Sequence, residues 1–304
     1  MGEAGKGVVA MIGACVVWGL SPLYYKLIAH VPPGEVLAHR TLWSLVFFAC
    51  VLAVQSRLGV LRGALRHWRV ILLAAIMISV NWFVFIFSVQ VGRTVEASLG
   101  YYIFPLVAVL LGMIVFRERL GVWQGVAVAL ACVAVLVLSV GIGAVPWISL
   151  ILAVTFGFYG VLKKRLDVGP VVSVTCEVLL LAPLALAWLF GLHLGLFAEA
   201  RPGAVFGSSL FDSLILMLSG VLTAGPLILF SYAARRVALA SVGVIQYLNP
   251  SLQFFCAVIV FAEPFTSAHA IAFPLIWSAL AIYSVAALRQ ERAVRKAASI
   301  SAGV

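Results

Sequence analysis

Charge is what this sequence has least of. Only 10% of its 304 residues are Asp, Glu, Lys or Arg, against 64% hydrophobic. Soluble domains carry roughly a quarter charged residues. A water-soluble fold of this size would lack a polar coat, so the apolar excess has to face lipid. Acidic residues are scarcest: 10 Asp and Glu stand against 20 Lys and Arg, a formal net charge of +10. A nucleic-acid partner would require those basic residues on one solvated face. They are instead scattered in short loops between apolar runs, so no nucleic-acid partner is expected. Cysteine is sparse too. Cys15, Cys50, Cys132, Cys176 and Cys256 all lie inside apolar runs, their number is odd, and no two fall at metal-ligand spacing. They read as buried, inert thiols.

Catalytic signatures are also missing. No HExxH or paired-Asp motif occurs, and His30, His39, His67, His193 and His269 are dispersed near span ends. A membrane-embedded hydrolase needs a nucleophile with a base, or a metal cluster. No enzyme activity, metal or cofactor is therefore expected. Long connections are lacking as well, apart from a Gly/Pro/Ser segment at 195–209.

What remains is a series of apolar runs of about 20 residues, the length that crosses a bilayer. They cover 8–28, 36–56, 69–91, 96–116, 121–140, 145–162, 171–191, 211–232, 240–261 and 266–288, numbered here as spans 1 to 10. The first resembles a signal peptide. However, Trp18-Gly19 and Ser21-Pro22 interrupt it, it ends in Tyr24-Tyr25-Lys26, and it has no small-residue cleavage site, so it reads as a retained span. With the N-terminus inside, every Lys and Arg except Lys26, Arg40, Arg93 and Arg201 falls on the cytoplasmic side. This bias places both termini in the cytoplasm.

The chain also repeats itself. Tyr102, Pro105, Ile114-Val115-Phe116, Glu118 and Ser139 recur 145 residues later as Tyr247, Pro250, Ile259-Val260-Phe261, Glu263 and Ser284. A looser echo relates Val16-x-Trp18-Gly19 to Val154-x-Phe156-Gly157, and Lys26 to Lys164. Each half (1–144 and 145–304) then holds five spans. Five is odd, so the second half enters the membrane upside down. The expected fold class is all-α integral membrane, with ten transmembrane helices in two inverted five-helix repeats. Inverted repeats are a transporter architecture, in which one half rocks against the other around a site near the midplane.

Several polar residues set inside spans carry a resemblance to a known group. Trp18-Gly19-Leu20-Ser21-Pro22-Leu23-Tyr24-Tyr25-Lys26 is similar to the first-span motif of RarD-type permeases, members of the EamA family in the drug/metabolite transporter superfamily. Ala38-His39-Arg40-x-x-Trp43-Ser44, Asn81-Trp82, Glu96-Ala97-Ser98-Leu99-Gly100-Tyr101-Tyr102-Ile103, Pro226-Leu227, Gln246-Tyr247-Leu248-Asn249-Pro250 and Phe261-Ala262-Glu263-Pro264 extend the match over nearly the whole chain. The resemblance implies alternating-access transport, most often export, in a bacterial inner membrane. The family often has Asn before the proline of span 4, as at Asn249-Pro250. Here that position is Phe104, so the polar contact is expected on span 9 alone.

Transport needs helix breaks and polar groups at depth. Pro22, Pro105, Pro226 and Pro250 supply candidate breaks, each removing a donor and freeing the carbonyl four residues earlier. The alternative is a kink that serves packing. Gln246, Asn249 and Gln253 share one helical face at i, i+3 and i+7, where they line a cavity or bond between helices. Trp18, Ser21 and Tyr25 form a second stripe, and Asn81 and Trp82 add an amide and an indole. Tyr101, Tyr102 and Tyr247 complete the candidate cargo-binding set, with an interfacial aromatic belt the competing explanation for the adjacent pair.

Glu177 lies about 9 Å into span 7 from its cytoplasmic end. It is a coupling residue or cargo-amine ligand, or else half of a structural pair. Its repeat counterpart is His39, beside Arg40. Arg40 binds an anionic cargo group or snorkels to the outer headgroups, and Lys26 snorkels. Gly121-x-x-x-Gly125 permits close helix contact and is compatible with a homodimer. The expected partners are a small organic solute and membrane lipid. The expected function is a secondary exporter of small metabolites or drugs through a cavity lined by spans 1, 3, 4, 7 and 9, with proton coupling open. The alternative is a non-transporting receptor, assembly factor or lipid scramblase.

Overall fold

The computed structural model describes residues 2–116, 121–196, 204–237 and 239–301. Among them ten helices are long and apolar enough to cross a membrane. They occupy Glu3–Leu27, Pro33–Val54, Trp68–Gln90, Thr94–Phe116, Val122–Ile142, Trp147–Lys164, Pro170–His193, Leu210–Ala234, the segmented stretch from Leu239 to Val260, and Ser267–Ser301. Each expected span is found within a few residues, except that the helix of span 10 continues past 288 to Ser301. A helix satisfies its own N–H and C=O groups within one segment, as a lipid-facing backbone must.

Two elements depart from the expected plan. A short helix, Val60–Ala64, and a 3-10 turn, Leu65–His67, precede span 3 where a loop was expected. Ala64, Leu61 and Leu65 pack beneath it against Leu52, Ile71 and Cys176, leaving the arginines on its other side. Span 9 runs as Leu239–Gln246, Leu248–Phe255 and a π-helical turn, Cys256–Val260. The first interruption lies where Pro250 withholds its donor from the Gln246 carbonyl. The last turn widens as Phe261 N reaches back to Cys256 O at 2.9 Å and Glu263 N to Ala257 O at 3.0 Å.

Of the candidate breaks, Pro22, Pro105 and Pro226 lie inside helices that continue through them, as the packing-kink alternative has it. At Pro22 the repair is visible: the Trp18 carbonyl, which loses its i+4 donor, accepts from Ser21 Oγ at 2.7 Å.

Each span buries half of its most apolar window or less, down to 22% for span 5. That is how so hydrophobic a chain disposes of its side chains: the remainder are left for acyl chains. Spans 1 and 2 pack on span 8, span 2 also on span 7, and span 6 on spans 3 and 4, while spans 5 and 10 pair with each other. Close approach depends on small residues. A Cβ on Gly19 would lie 2.6 Å from Leu252 Cβ and 3.0 Å from Asn249 O, so span 1 crosses span 9 at this glycine.

Two carboxylates tie the chain at the end opposite the arginine-rich loops. Glu35 accepts from Val205 N and Phe206 N at 2.8 and 2.9 Å. Glu263 accepts from Thr94 N and Val95 N at 2.9 and 2.8 Å, capping span 4, whose first-turn donors would otherwise be unmatched.

Candidate functional site

The candidate residues fall into four groups. The first surrounds Arg40, about 10 Å below the end opposite the arginine-rich loops. Its guanidinium stacks on the Trp82 ring at 3.9 Å and donates from Nη1 to Tyr25 Oη at 2.6 Å. Asn81, on span 3, donates to Leu152 O at 2.9 Å and Thr155 Oγ1 at 3.0 Å, and its Oδ1 accepts from Tyr101 Oη at 2.8 Å. Phe85 joins Tyr25 to Tyr101 edge-on. Spans 1, 2, 3, 4 and 6 thus meet here. Arg40 is only 6% exposed, so its side chain points into the bundle and does not reach the headgroups.

A second group lies toward the arginine-rich end. Glu177, 1% exposed, receives Lys163 Nζ at 2.6 Å and Ser173 Oγ at 3.0 Å on Oε1, and Tyr159 Oη at 3.1 Å on Oε2. Lys163 also donates to Ser173 Oγ at 2.5 Å. A carboxylate this deep finds the cation and hydroxyls that offset its desolvation. The two groups are joined by rings on span 6: Tyr101 meets Phe156 edge-on at 5.9 Å, and Phe156 stacks on Tyr159 at 5.9 Å.

The third group is the crossing of spans 1 and 9. Gln253 Nε2 donates to Asn249 Oδ1 at 2.9 Å, and its own buried Oε1 has no partner. Trp18 lies 6.2 Å from Phe230 of span 8. The helix is interrupted at Tyr247, after Gln246, while Asn249 and Gln253 share a face of the following segment.

The fourth group borders a cavity of about 600 Å³ between spans 4, 9 and 10, lined by Tyr102, Tyr247, Ser251, Phe254 and Trp277. Tyr102 and Ser251 share a hydrogen bond at 2.7 Å. Adjacent tyrosines therefore serve opposite sides of span 4: Tyr101 faces the Arg40 group and Tyr102 this cavity. Neither is held as an interfacial belt.

The remaining candidates stand apart. His39 stacks on Phe206 at 4.5 Å and sits 4.0 Å from Glu35, not near Glu177. Lys26 is exposed, its ammonium 5.5 Å from the Phe261 ring. Arg93 and Glu96 form a local pair at 2.6 Å. Glu118 lies outside the described residues. Sequence reasoning missed Lys163, Tyr159, Ser173 and Trp277, and left span 6 off the lining. For Lys163 a signal existed: the looser repeat sets it opposite Tyr25, as it sets Glu177 opposite His39, the neighbour of Arg40.

With this geometry in view, relatives give it context. The sequence pattern of the EamA-like transporter family matches residues 5–140. The chain is 40% identical over 298 residues to "Uncharacterized transporter YojE" of Bacillus subtilis, covering 96% of this chain and 97% of that one. It is 35% identical over 294 residues to "Protein RarD" of Escherichia coli, covering 96% and 98%. A crystal structure 21% identical aligns with a TM-score of 0.59 over 91% of this chain and 96% of its own, a likeness of fold alone. Ten membrane-crossing helices and near-full-length similarity together establish that the chain belongs to the EamA-like transporter family, as a RarD-type multi-pass membrane transporter.

Proposed function

We propose that this transporter exports small organic solutes across a bacterial inner membrane by alternating access between two inverted five-helix halves, coupled to proton entry through Glu177. The observation that carries this reading is the Lys163–Glu177 pair, with a carboxylate 1% exposed at the inner end of spans 6 and 7. In this reading the positive-inside bias turns the arginine-rich end to the cytoplasm, and the pair ties the inner ends of spans 6 and 7 while it is intact.

Protonation of Glu177 removes the attraction to Lys163 and leaves Tyr159 and Ser173 as its neutral partners. The inner ends of spans 6 and 7, both in the second half, are then no longer tied, and in this reading that lets the second half rearrange as it opens to the cytoplasm. The Tyr101–Phe156–Tyr159 ring column lies between the pair and the Arg40 group. It supplies a packed route by which occupancy of one group biases the other, since closely packed elements shift between discrete arrangements.

The test compares extracellular small molecules by mass spectrometry from cells expressing the wild type or Glu177→Gln. A compound enriched outside with the wild type alone is the expected result. No difference for any compound overturns the exporter reading. Efflux by the variant that still depends on the proton gradient overturns the coupling role of Glu177 and leaves export standing.

A further inference from the structure

We propose that the cargo carries a carboxylate, bound edge-on by Arg40; the inference rests on the transport reading above and adds the chemical class of solute. An arginine guanidinium stays protonated throughout the physiological range, so the group around Arg40 holds a full positive charge at 6% exposure. A buried charge is ordinarily paired, yet Arg40 forms no ion pair among the described residues. The buried carboxylates are engaged elsewhere: Glu35 with Val205 N and Phe206 N, Glu96 with Arg93, Glu177 with Lys163, and Glu263 with Thr94 N and Val95 N.

The geometry of what is left open selects the ligand. Trp82 covers a face of the guanidinium, and Tyr25 takes Nη1. Arg40 Nε is buried without a partner, and Nη2 makes no hydrogen bond to a described residue. Nε and Nη2 present two parallel donors along one edge, the spacing that a carboxylate's two oxygens match. A halide would use one donor at a time, and an uncharged amide would leave the charge uncompensated. Trp82, Phe85 and Tyr101 flank the group with aromatic surface suited to the apolar body of a small organic acid.

The experiment uses the purified full chain in lipid nanodiscs, in buffer free of chloride and phosphate. Tryptophan fluorescence and the thermal midpoint are read against matched probes: benzoate and benzamide, 3-phenylpropanoate and its amide, and sodium chloride and inorganic phosphate alone. At least one acid is expected to give a saturable change that its amide does not, and Arg40→Gln should weaken that binding at least about tenfold. Arg40→Lys, which keeps the charge but loses the fork, should restore little of it.

Equal responses to acid and amide, no response to either acid, or a response to the inorganic anions alone would each overturn the proposal. If Arg40→Gln fails to fold, the acid–amide comparison on the wild type decides. Arg40-dependent binding of an acid that sealed vesicles do not release would leave the carboxylate site standing and sink the export reading instead.

Discussion

Lys163 and Glu177, on consecutive spans, meet at 2.6 Å, where the carboxylate is 1% exposed and the Lys163 side chain 20% exposed. Removing one member therefore differs from removing both. Lys163→Met leaves a buried carboxylate without its cation and should cost about 2–3 kcal/mol, less than a wholly buried pair because the Lys163 side chain is partly exposed. Lys163→Met with Glu177→Gln should recover most of that loss. Thermal unfolding of the two variants in one detergent measures the difference, and equal losses would show that the pair contributes no coupling.

The span 1–span 9 crossing has no room for a methyl group at Gly19, where a Cβ would lie 2.6 Å from Leu252 Cβ. Gly19→Ala should destabilise by about 1–3 kcal/mol, the usual cost of overpacking. Gly125 is the control. A Cβ there meets nothing within 4 Å, so Gly125→Ala should stabilise span 5 by about 0.5–1 kcal/mol through reduced backbone entropy. Unfolding midpoints of opposite sign would bear out both.

Glu263 links the loop before span 10 to the start of span 4 through Thr94 N and Val95 N. Glu263→Ala should cost about 1–2 kcal/mol, as loss of a helix cap does. Glu263→Gln should cost less, since one acceptor oxygen remains. Hydrogen exchange at Thr94 and Val95 is the sharper measurement. Faster exchange there, with the rest of the bundle unchanged, is expected of the alanine variant.

Outside the membrane-spanning segment, Glu3 joins Lys6 and Arg236 at 2.8 Å each. These neighbours, Lys6 first and then Arg236, hold its carboxyl below the ordinary range. A group whose folded value is lowered contributes stability above its unfolded value, and loses it as pH falls through the folded one. The tie between the start of span 1 and the end of span 8 should thus weaken only in acid. In an exposed position it contributes little, so Glu3→Gln should leave the midpoint at pH 7 nearly unchanged. A large drop at neutral pH would show that the tie matters more than its exposure suggests.

The spans were legible because lipid imposes a one-dimensional rule: about 20 apolar residues per crossing. Even the segmentation of span 9 could be expected from Pro250, since a missing donor is a local fact. Pro22, by contrast, reads as a break in sequence, yet Ser21 supplies a hydrogen to the Trp18 carbonyl and the helix continues. The short helix Val60–Ala64 was not expected, because its packing surface belongs to other spans, through Leu52 and Cys176.

By itself the sequence determined an all-helical membrane protein of ten spans, a cluster of polar residues at depth, and a family. Those follow from composition, hydrophobic length and motif, which need no knowledge of neighbours. Only the tertiary structure decided the partners. It set Glu177 against Lys163 and Tyr159, drew Arg40 inward onto Trp82 and Tyr25, and turned Tyr101 and Tyr102 to opposite sides of one helix. A charge inside a membrane is defined by what compensates it, and compensation comes from residues on other spans that packing brings within about 3 Å.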